Sequence, residues 1–130
     1  MSNVLDMDAT TIAQKIKSRE ITSSLAVQTY ISHLKRLNPT VACLVEDRFA
    51  AASEEAKMND RLVERGEVQG KLSGVPISVK EAFDVAGMQT TGGLSHRQGQ
   101  LAETDAAVVA RLKAEGAIIL GKTNTPALCF

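Results

Sequence analysis

Two strand-like segments in the second half of the chain, joined by a helix, most constrain the fold. Residues 75–80 alternate in character, with Val75, Ile77 and Val79 on one face. Residues 117–120 form a wholly apolar run, which is typical of a strand buried on both faces. A strand–helix–strand order favours a parallel pair with a right-handed crossover. The sequence therefore predicts an α/β fold.

A long irregular segment separates the first strand from the helix. Residues 81–103 contain four glycines and no sustained periodicity, and loops of this length are usually functional or disordered. The helix is expected to open at Thr104 and Asp105 and to close at Gly116. Its inward-facing side chains are expected to be Val108, Val109 and Leu112.

The first half of the chain shows three segments with helical periodicity. Asp8 and Thr22 are suitable N-caps for the first two, and the second is expected to stop at residues 38–39, Asn-Pro. A short strand over residues 41–45 and a third helix capped by Asp47 should follow. The inward face of that third helix is expected to carry Phe49, Ala52, Ala56 and Val63.

Composition excludes several classes of partner. The 130 residues include 15 Lys+Arg and 15 Asp+Glu, so no basic surface for nucleic acid or anionic lipid is expected, and 3% aromatic residues are too few for base stacking. The apolar runs are about five residues long, far short of a membrane-spanning helix. The first ten residues lack the features of a secretory signal. We expect a cytoplasmic protein that binds neither nucleic acid nor membrane.

The cysteines and histidines favour neither a disulfide nor a metal site. Cys43 and Cys129 could form one disulfide, but with no export signal they are expected to be reduced and mostly buried. His33 and His96 are isolated from one another and from the cysteines, without ligand spacing. No metal and no cofactor are expected.

A phosphate-loop spacing occurs at residues 116–123, Gly-Ala-Ile-Ile-Leu-Gly-Lys-Thr. That motif works by wrapping the backbone N–H groups of a flexible loop around phosphates, between a strand and a helix. Here the four intervening residues have the composition of a strand, and Pro126 leaves no room for the helix. Phosphate binding is therefore only a weak alternative.

Lys80 and Lys122 are predicted to share one edge of the sheet. Lys80 ends the first strand and residues 121–124 follow the second, so both lie at the carboxyl ends of parallel strands, where ligands bind. Two interpretations of Lys80 stay open here. It is either a solvated lysine at a strand end or a lysine held between packed walls, where desolvation favours the neutral amine that accepts a proton. Glu81 should point to the opposite face.

Three ordered segments of the second half resemble the start of the amidase signature family. They are Leu-Ser-Gly-Val-Pro-Ile-Ser-Val-Lys-Glu at 72–81, Thr-Thr-Gly-Gly at 90–93, and Asp-Ala-Ala-Val-Val-Ala-Arg-Leu-Lys-Ala-Glu-Gly-Ala-Ile-Ile-Leu-Gly-Lys-Thr-Asn at 105–124. The first half is similar to the N-terminal helices of that family, with Ile-Thr-Ser at 21–23 and Ala-Ala-Ala-Ser-Glu-Glu-Ala at 50–56. The chain departs from the family at two positions, with Glu81 in place of a common Asp and Ala127 in place of a usual Glu.

The resemblance implies a fold that is incomplete in this chain. Residues 1–130 would be a partial amidase domain, with N-terminal helices and the first strands of a mixed α/β/α sheet. Residues 1–70 would be the N-terminal helical segment, and residues 71–130 the start of the α/β core.

The resemblance also implies a chemistry. Family members hydrolyse the carbon–nitrogen bond of carboxamides through a Ser–cis-Ser–Lys triad and an acyl-serine intermediate, without metal or organic cofactor. The lysine of the motif is Lys80, and both serines would lie beyond Phe130. The complete enzyme would take a small-molecule amide substrate.

A triad base without its nucleophile does little, so the chain alone is expected to be inactive. The alternative is a non-catalytic truncated remnant, or an assembly piece that binds a partner. Because the predicted strands suit the middle of a sheet, their uncovered edges should also make the chain self-associate.

Overall fold

The computed structural model describes residues 3–130 and shows four α-helices and three strands in that range. The helices are α1 (Ala9–Lys17), α2 (Ser23–Val41), α3 (Phe49–Glu64) and α4 (Ala107–Ala114), and the strands are β1 (Leu44–Asp47), β2 (Pro76–Lys80) and β3 (Ile118–Thr123). Short 3₁₀ helices occupy Val4–Asp6, Ser95–Arg97 and Ala127–Cys129. Across the described range no helix is long and apolar enough to cross a membrane. Residues 1 and 2, part of the segment assessed for a secretory signal, lie outside the described residues.

The first two helices begin at the predicted caps. Asp8 Oδ1 accepts a hydrogen bond from the Thr11 N–H at 2.7 Å, and Thr22 Oγ1 accepts one from the Leu25 N–H at 3.0 Å. Each side chain satisfies a donor that has no partner within the helix.

The sheet has the strand order β1–β3–β2, so β3 lies in the middle. Strand β2 runs parallel to β3, as predicted, and β1 runs antiparallel to it. Ile118 and Leu120 pack against α2 and α3 on one face, whereas Ile119 packs with Val79 of β2 and Val109 of α4 on the other. Helices therefore cover both faces of a mixed sheet, and the α/β/α architecture is confirmed.

Helix α2 does not stop at residues 38–39; it continues to Val41 with Pro39 inside its last turn. Pro39 has no N–H to donate, but the helical bonding continues beyond it, since the Ala42 N–H donates to the Asn38 carbonyl at 2.8 Å. The Asn38 side chain holds the turn that follows the helix. Its Oδ1 accepts from the Leu44 N–H at 2.7 Å, and its Nδ2 donates to the Leu44 carbonyl at 2.8 Å. Ala42 takes the left-handed conformation that follows.

The boundaries that depend on sheet pairing also differ from the prediction. The first strand lies at Leu44–Asp47 and not at residues 41–45, because α2 uses the earlier residues. Helix α3 follows directly, and Asp47 Oδ1 accepts from the Phe49 N–H at 3.2 Å although Arg48 occupies the cap position. Ala52, Ala56 and Val63 of α3 are buried as predicted.

The second half contains two further corrections. Strand β3 extends to Thr123, three residues beyond the predicted apolar run, because residues 121–123 pair with both neighbouring strands. Helix α4 begins at Ala107, since Asp105 instead accepts from Lys113 Nζ at 2.8 Å and from the Ala86 N–H at 2.8 Å. Val108, predicted to face inward, is 46% exposed, whereas Val109 is fully buried.

A buried polar network joins α2, α3 and the turn before β2. Asn59 Nδ2 donates to Ser23 Oγ at 2.6 Å, and Ser73 Oγ donates to Asn59 Oδ1 at 2.6 Å. Gly74 packs directly on this network with φ +77°, and a Cβ placed there would lie 1.9 Å from Ser23 Oγ. The turn before β2 therefore has room only for glycine.

Replacing Gly74 by alanine should destabilise the chain through both backbone strain and overlap with Ser23. Gly66 is a matched control, because it has the same φ of +77° but no atom within 4 Å of its added Cβ. We expect Gly66→Ala to lower the free energy of unfolding by about 1 kcal/mol from strain alone. Gly74→Ala should cost about 2 kcal/mol more. Equal losses for the two variants in urea unfolding would contradict the packing role of Gly74.

Candidate functional site

Strands β2 and β3 end side by side, as expected for a parallel pair. Lys80, the last residue of β2, is in register with Thr123, the last residue of β3. Pairing continues one residue further, because the Glu81 N–H donates to the Thr123 carbonyl at 2.9 Å. The irregular segment 81–103 then crosses this end of the sheet, which is where ligands bind in parallel sheets.

Lys80 and Glu81 point to opposite sides of the sheet. The Glu81 side chain is buried, with 4% exposed surface for the residue, whereas Lys80 is exposed. Ser78, two residues before Lys80 on the same face, is exposed as well. Residues 3–130 therefore hold the Lys80 backbone in the sheet but do not themselves build packed walls around its side chain.

The Glu81 carboxylate holds the segment Thr-Thr-Gly-Gly at 90–93. Its Oε1 accepts from the Thr91 N–H at 2.5 Å, and its Oε2 accepts from the Gly92 N–H at 2.9 Å. Two consecutive backbone donors satisfy the buried charge, so glutamate at this position has a clear structural use.

The site also includes Lys122 of β3, which is fully buried. Its Nζ donates to the Gln89 carbonyl at 2.6 Å and to Thr90 Oγ1 at 2.9 Å. Burial lowers the pKa of the Lys122 ammonium, and the negative charges of Glu81, Asp84 and Glu46 oppose that shift. Sequence reasoning placed Lys122 at this edge but did not predict its burial.

Sequence reasoning missed Glu46, which completes the arrangement from β1. Its Oε2 accepts from the Gln89 N–H at 2.8 Å, and Glu46 is in register with Lys122 across the antiparallel pair. Glu46 lies one residue beyond the predicted strand at 41–45, and no local signal indicates which partner strand it joins.

An open cavity of about 590 Å³ lies beside this loop. Its lining includes Glu46, Glu81, Thr91, Asn124 and Thr125, whose polar side chains can form hydrogen bonds. Lys80 does not line this cavity, because its side chain leaves the sheet on the other side.

The phosphate-loop spacing has the wrong structural context. Residues 121–123 lie within β3, where they pair with β1 on one side and β2 on the other. The backbone of residues 121–123 pairs with strands on both sides, and the Lys122 side chain is buried beneath residues 89 and 90. The weak phosphate-binding alternative therefore loses the loop conformation that it requires.

Neither cysteine is fully buried in the structure. Cys43 and Cys129 are both free thiols, and Cys129 is exposed, which corrects the expectation that both are mostly buried. It lies in a surface 3₁₀ turn and not in the core. Within the described part of the chain, no group of three or more His, Cys, Asp or Glu side chains could hold a metal ion.

Replacing Lys122 by methionine should destabilise the fold by about 2 kcal/mol at pH 7, because the Gln89 carbonyl and Thr90 hydroxyl lose a buried donor. The effect should also depend on pH. The pKa of Lys122 is lowered from 10.5 on folding. Between the lowered pKa and 10.5 the unfolded chain binds more protons, so the stability contributed by Lys122 rises with pH.

Urea unfolding at several pH values checks this effect. The difference in unfolding free energy between wild type and Lys122→Met should grow as pH rises through that window and stay constant below it. A difference that shrinks with rising pH would contradict the desolvated environment of Lys122.

Known proteins are similar to this chain in both sequence and fold. The family model described as Amidase matches residues 26–130. Fatty-acid amide hydrolase 2-B of Danio rerio is 44% identical over 134 residues, which cover 98% of this chain and 26% of that protein.

Two solved structures are similar to the chain. The native peptide amidase from Stenotrophomonas maltophilia has a TM-score of 0.86 at 30% identity, covering 94% of this chain and 25% of that one. A chain from an unexpected vestigial protein complex, which reveals the evolutionary origins of an s-triazine catabolic enzyme, has a TM-score of 0.87 at 30% identity. That match covers 93% of this chain and 27% of the other.

This chain thus spans about a quarter of the length of the proteins it matches. The motifs, the parallel β2–β3 pair and the family match over residues 26–130 agree with one another. The chain belongs to the amidase family, to whose N-terminal portion it corresponds.

Proposed function

We propose that this chain is the N-terminal part of an amidase that hydrolyses carboxamides, and that Lys80 is its catalytic base. The observation that carries the proposal is the position of Lys80. It ends β2 within the motif Gly-Val-Pro-Ile-Ser-Val-Lys, at the edge where ligands bind, with an exposed amine. Family membership supports the reaction class.

The proposed reaction needs a neutral amine at Lys80. That amine accepts a proton from a bridging serine, which in turn accepts the proton of the nucleophilic serine. The activated serine attacks the carboxamide carbonyl, and the relay returns the proton to the substrate nitrogen as the C–N bond breaks and the product amine or ammonia leaves. Water then hydrolyses the acyl-serine. Both serines and the walls that desolvate Lys80 would come from the remaining three quarters of a complete amidase.

The proposed substrate is a small-molecule amide, which the similarity to a fatty-acid amide hydrolase of Danio rerio supports. This chain supplies the base, so residues outside it would select the acyl group. A cytoplasmic location remains a prediction from the sequence.

A chimera tests the role of Lys80. This chain replaces the matching quarter of the Danio rerio relative, and hydrolysis of an aryl amide is followed. Lys80→Ala should lower kcat/KM by about 10²–10⁴-fold, the usual contribution of a general base. Lys71→Ala, which removes an exposed lysine nine residues upstream, is the matched control and should leave the rate unchanged. Full activity of the Lys80→Ala chimera would contradict the proposal.

The chain alone should show no measurable turnover, because the base lacks its nucleophile. Hydrolysis of the aryl amide by the isolated chain, lost in Lys80→Ala, would overturn this part of the proposal.

A second candidate function is a non-catalytic assembly piece or truncated remnant. Among residues 3–130, β2 pairs only with β3, so its outer edge offers unpaired backbone groups, and Phe83 beside it is exposed. Unpaired strand edges are templates for association. The similarity to a chain of a vestigial protein complex points in the same direction.

Under this second candidate the isolated chain should self-associate at low micromolar concentration. Ser78→Lys places a charge on the open strand and should shift sedimentation towards monomer. Ser95→Lys changes another exposed serine, in the 3₁₀ turn away from the open strand, and should not shift it. A clean wild-type monomer with a sharp, cooperative melt by circular dichroism would contradict this prediction.

A further inference from the structure

One charged side chain from each strand region holds the same loop. Glu46 lies in β1, Lys122 lies in β3, and Glu81 follows β2 directly. All three bond to residues 89–92, through the Gln89 N–H, the Gln89 carbonyl and Thr90 hydroxyl, and the Thr91 and Gly92 N–H groups respectively.

The loop is held from its other side as well. The Leu128 N–H donates to the Gly92 carbonyl at 2.8 Å. Gly93 has φ +75°, and a Cβ placed there would lie 2.7 Å from the Ala127 nitrogen. The loop therefore has little room to shift, and its N–H groups present a fixed pair of donors to Glu81.

Glu81 transmits this constraint to Lys80. Neighbouring residues of an extended strand point to opposite faces, so the side on which Glu81 is buried decides the side on which Lys80 emerges. The Lys80 carbonyl also accepts from the Phe83 N–H at 3.0 Å, which fixes the backbone immediately after the strand. If Glu81 left its two donors, the backbone would keep its bond to the Thr123 carbonyl but would lose the side-chain contacts that hold Glu81 on the buried face.

We propose that Glu81 and Lys122 are positioning residues. They hold the loop formed by residues 89–93 and thereby direct the Lys80 side chain out of the opposite face of the sheet. Neither residue faces the side on which Lys80 emerges, so both act through the loop and the β2 backbone. This inference rests on the proposed role of Lys80 as the base, but its test does not depend on amidase activity.

Hydrogen exchange and side-chain NMR of the chain test the proposal. Glu81→Gln keeps the shape of the side chain but puts an NH₂ group against one of the two N–H donors. We expect amide exchange at Thr91 and Gly92 to rise at least tenfold and the side-chain signals of Lys80 to shift. Exchange at Ile119, in the buried middle of β3, should stay unchanged.

Two further variants separate positioning from general destabilisation. Glu103→Gln is the matched control, since it removes the same charge from an exposed position at the far end of the irregular segment. It should change neither exchange nor the Lys80 signals. Glu81→Asp keeps the carboxylate and should recover at least part of the Thr91 and Gly92 protection and of the Lys80 signals.

Several outcomes would overturn the proposal. Unchanged Thr91 and Gly92 exchange in Glu81→Gln would show that the carboxylate does not hold the loop. Faster exchange with unmoved Lys80 signals would show that the loop does not position Lys80. An equal rise at Ile119 would reveal global destabilisation only.

A milder variant keeps the test open if Glu81→Gln fails to fold. Thr90→Val removes only the hydroxyl that accepts from Lys122 Nζ and keeps the shape of the side chain. It should raise exchange at Thr91 and Gly92 by a smaller factor and shift the Lys80 signals in the same direction. No change in either measurement would overturn the part of the proposal in which Lys122 holds the loop through the Thr90 hydroxyl.

Discussion

The pairing of β3 with a strand on each side is the constraint on which the rest of the structure depends. This pairing makes residues 118–123 the middle of the sheet, with apolar side chains towards helices on both faces. It also brings Glu46 opposite Lys122 and Lys80 opposite Thr123, because register in a sheet fixes every neighbour. The candidate site is a consequence of that register.

The charged residues at the end of the sheet divide into two groups with different surroundings. Glu81 and Lys122 are buried and form hydrogen bonds with residues 89–92 of one loop. Lys80 is exposed on the other side of β2. Buried charges persist in proteins when hydrogen bonds satisfy them, and those bonds then fix local geometry. A buried side held by hydrogen bonds and an accessible opposite side suit the proposed role of Lys80 as a base.

The helix caps, the buried faces of regular segments and the consequence of the strand–helix–strand order could be predicted from the sequence. Asp8 and Thr22 cap helices, Val79 and Val109 are buried, and β2 and β3 form a parallel pair. The errors occur where a longer-range contact decides. Pro39 lies inside α2 because helical bonding continues past it, from the Ala42 N–H to the Asn38 carbonyl. Val108 is exposed because Val109 is the α4 residue that packs with Ile119 and Val79.

The sequence by itself determined the α/β class, the amidase family and the position of Lys80 at the end of a strand, because short motifs and side-chain alternation carry that information. Only the tertiary structure decided that Lys122 is buried, that Glu46 belongs to the site and that Glu81 holds residues 91 and 92. Each of these contacts joins segments at least ten residues apart, and Lys122 and Glu46 reach loop residues 33 and 43 positions away. Such pairs meet only once three strands adopt one register, which no local pattern specifies.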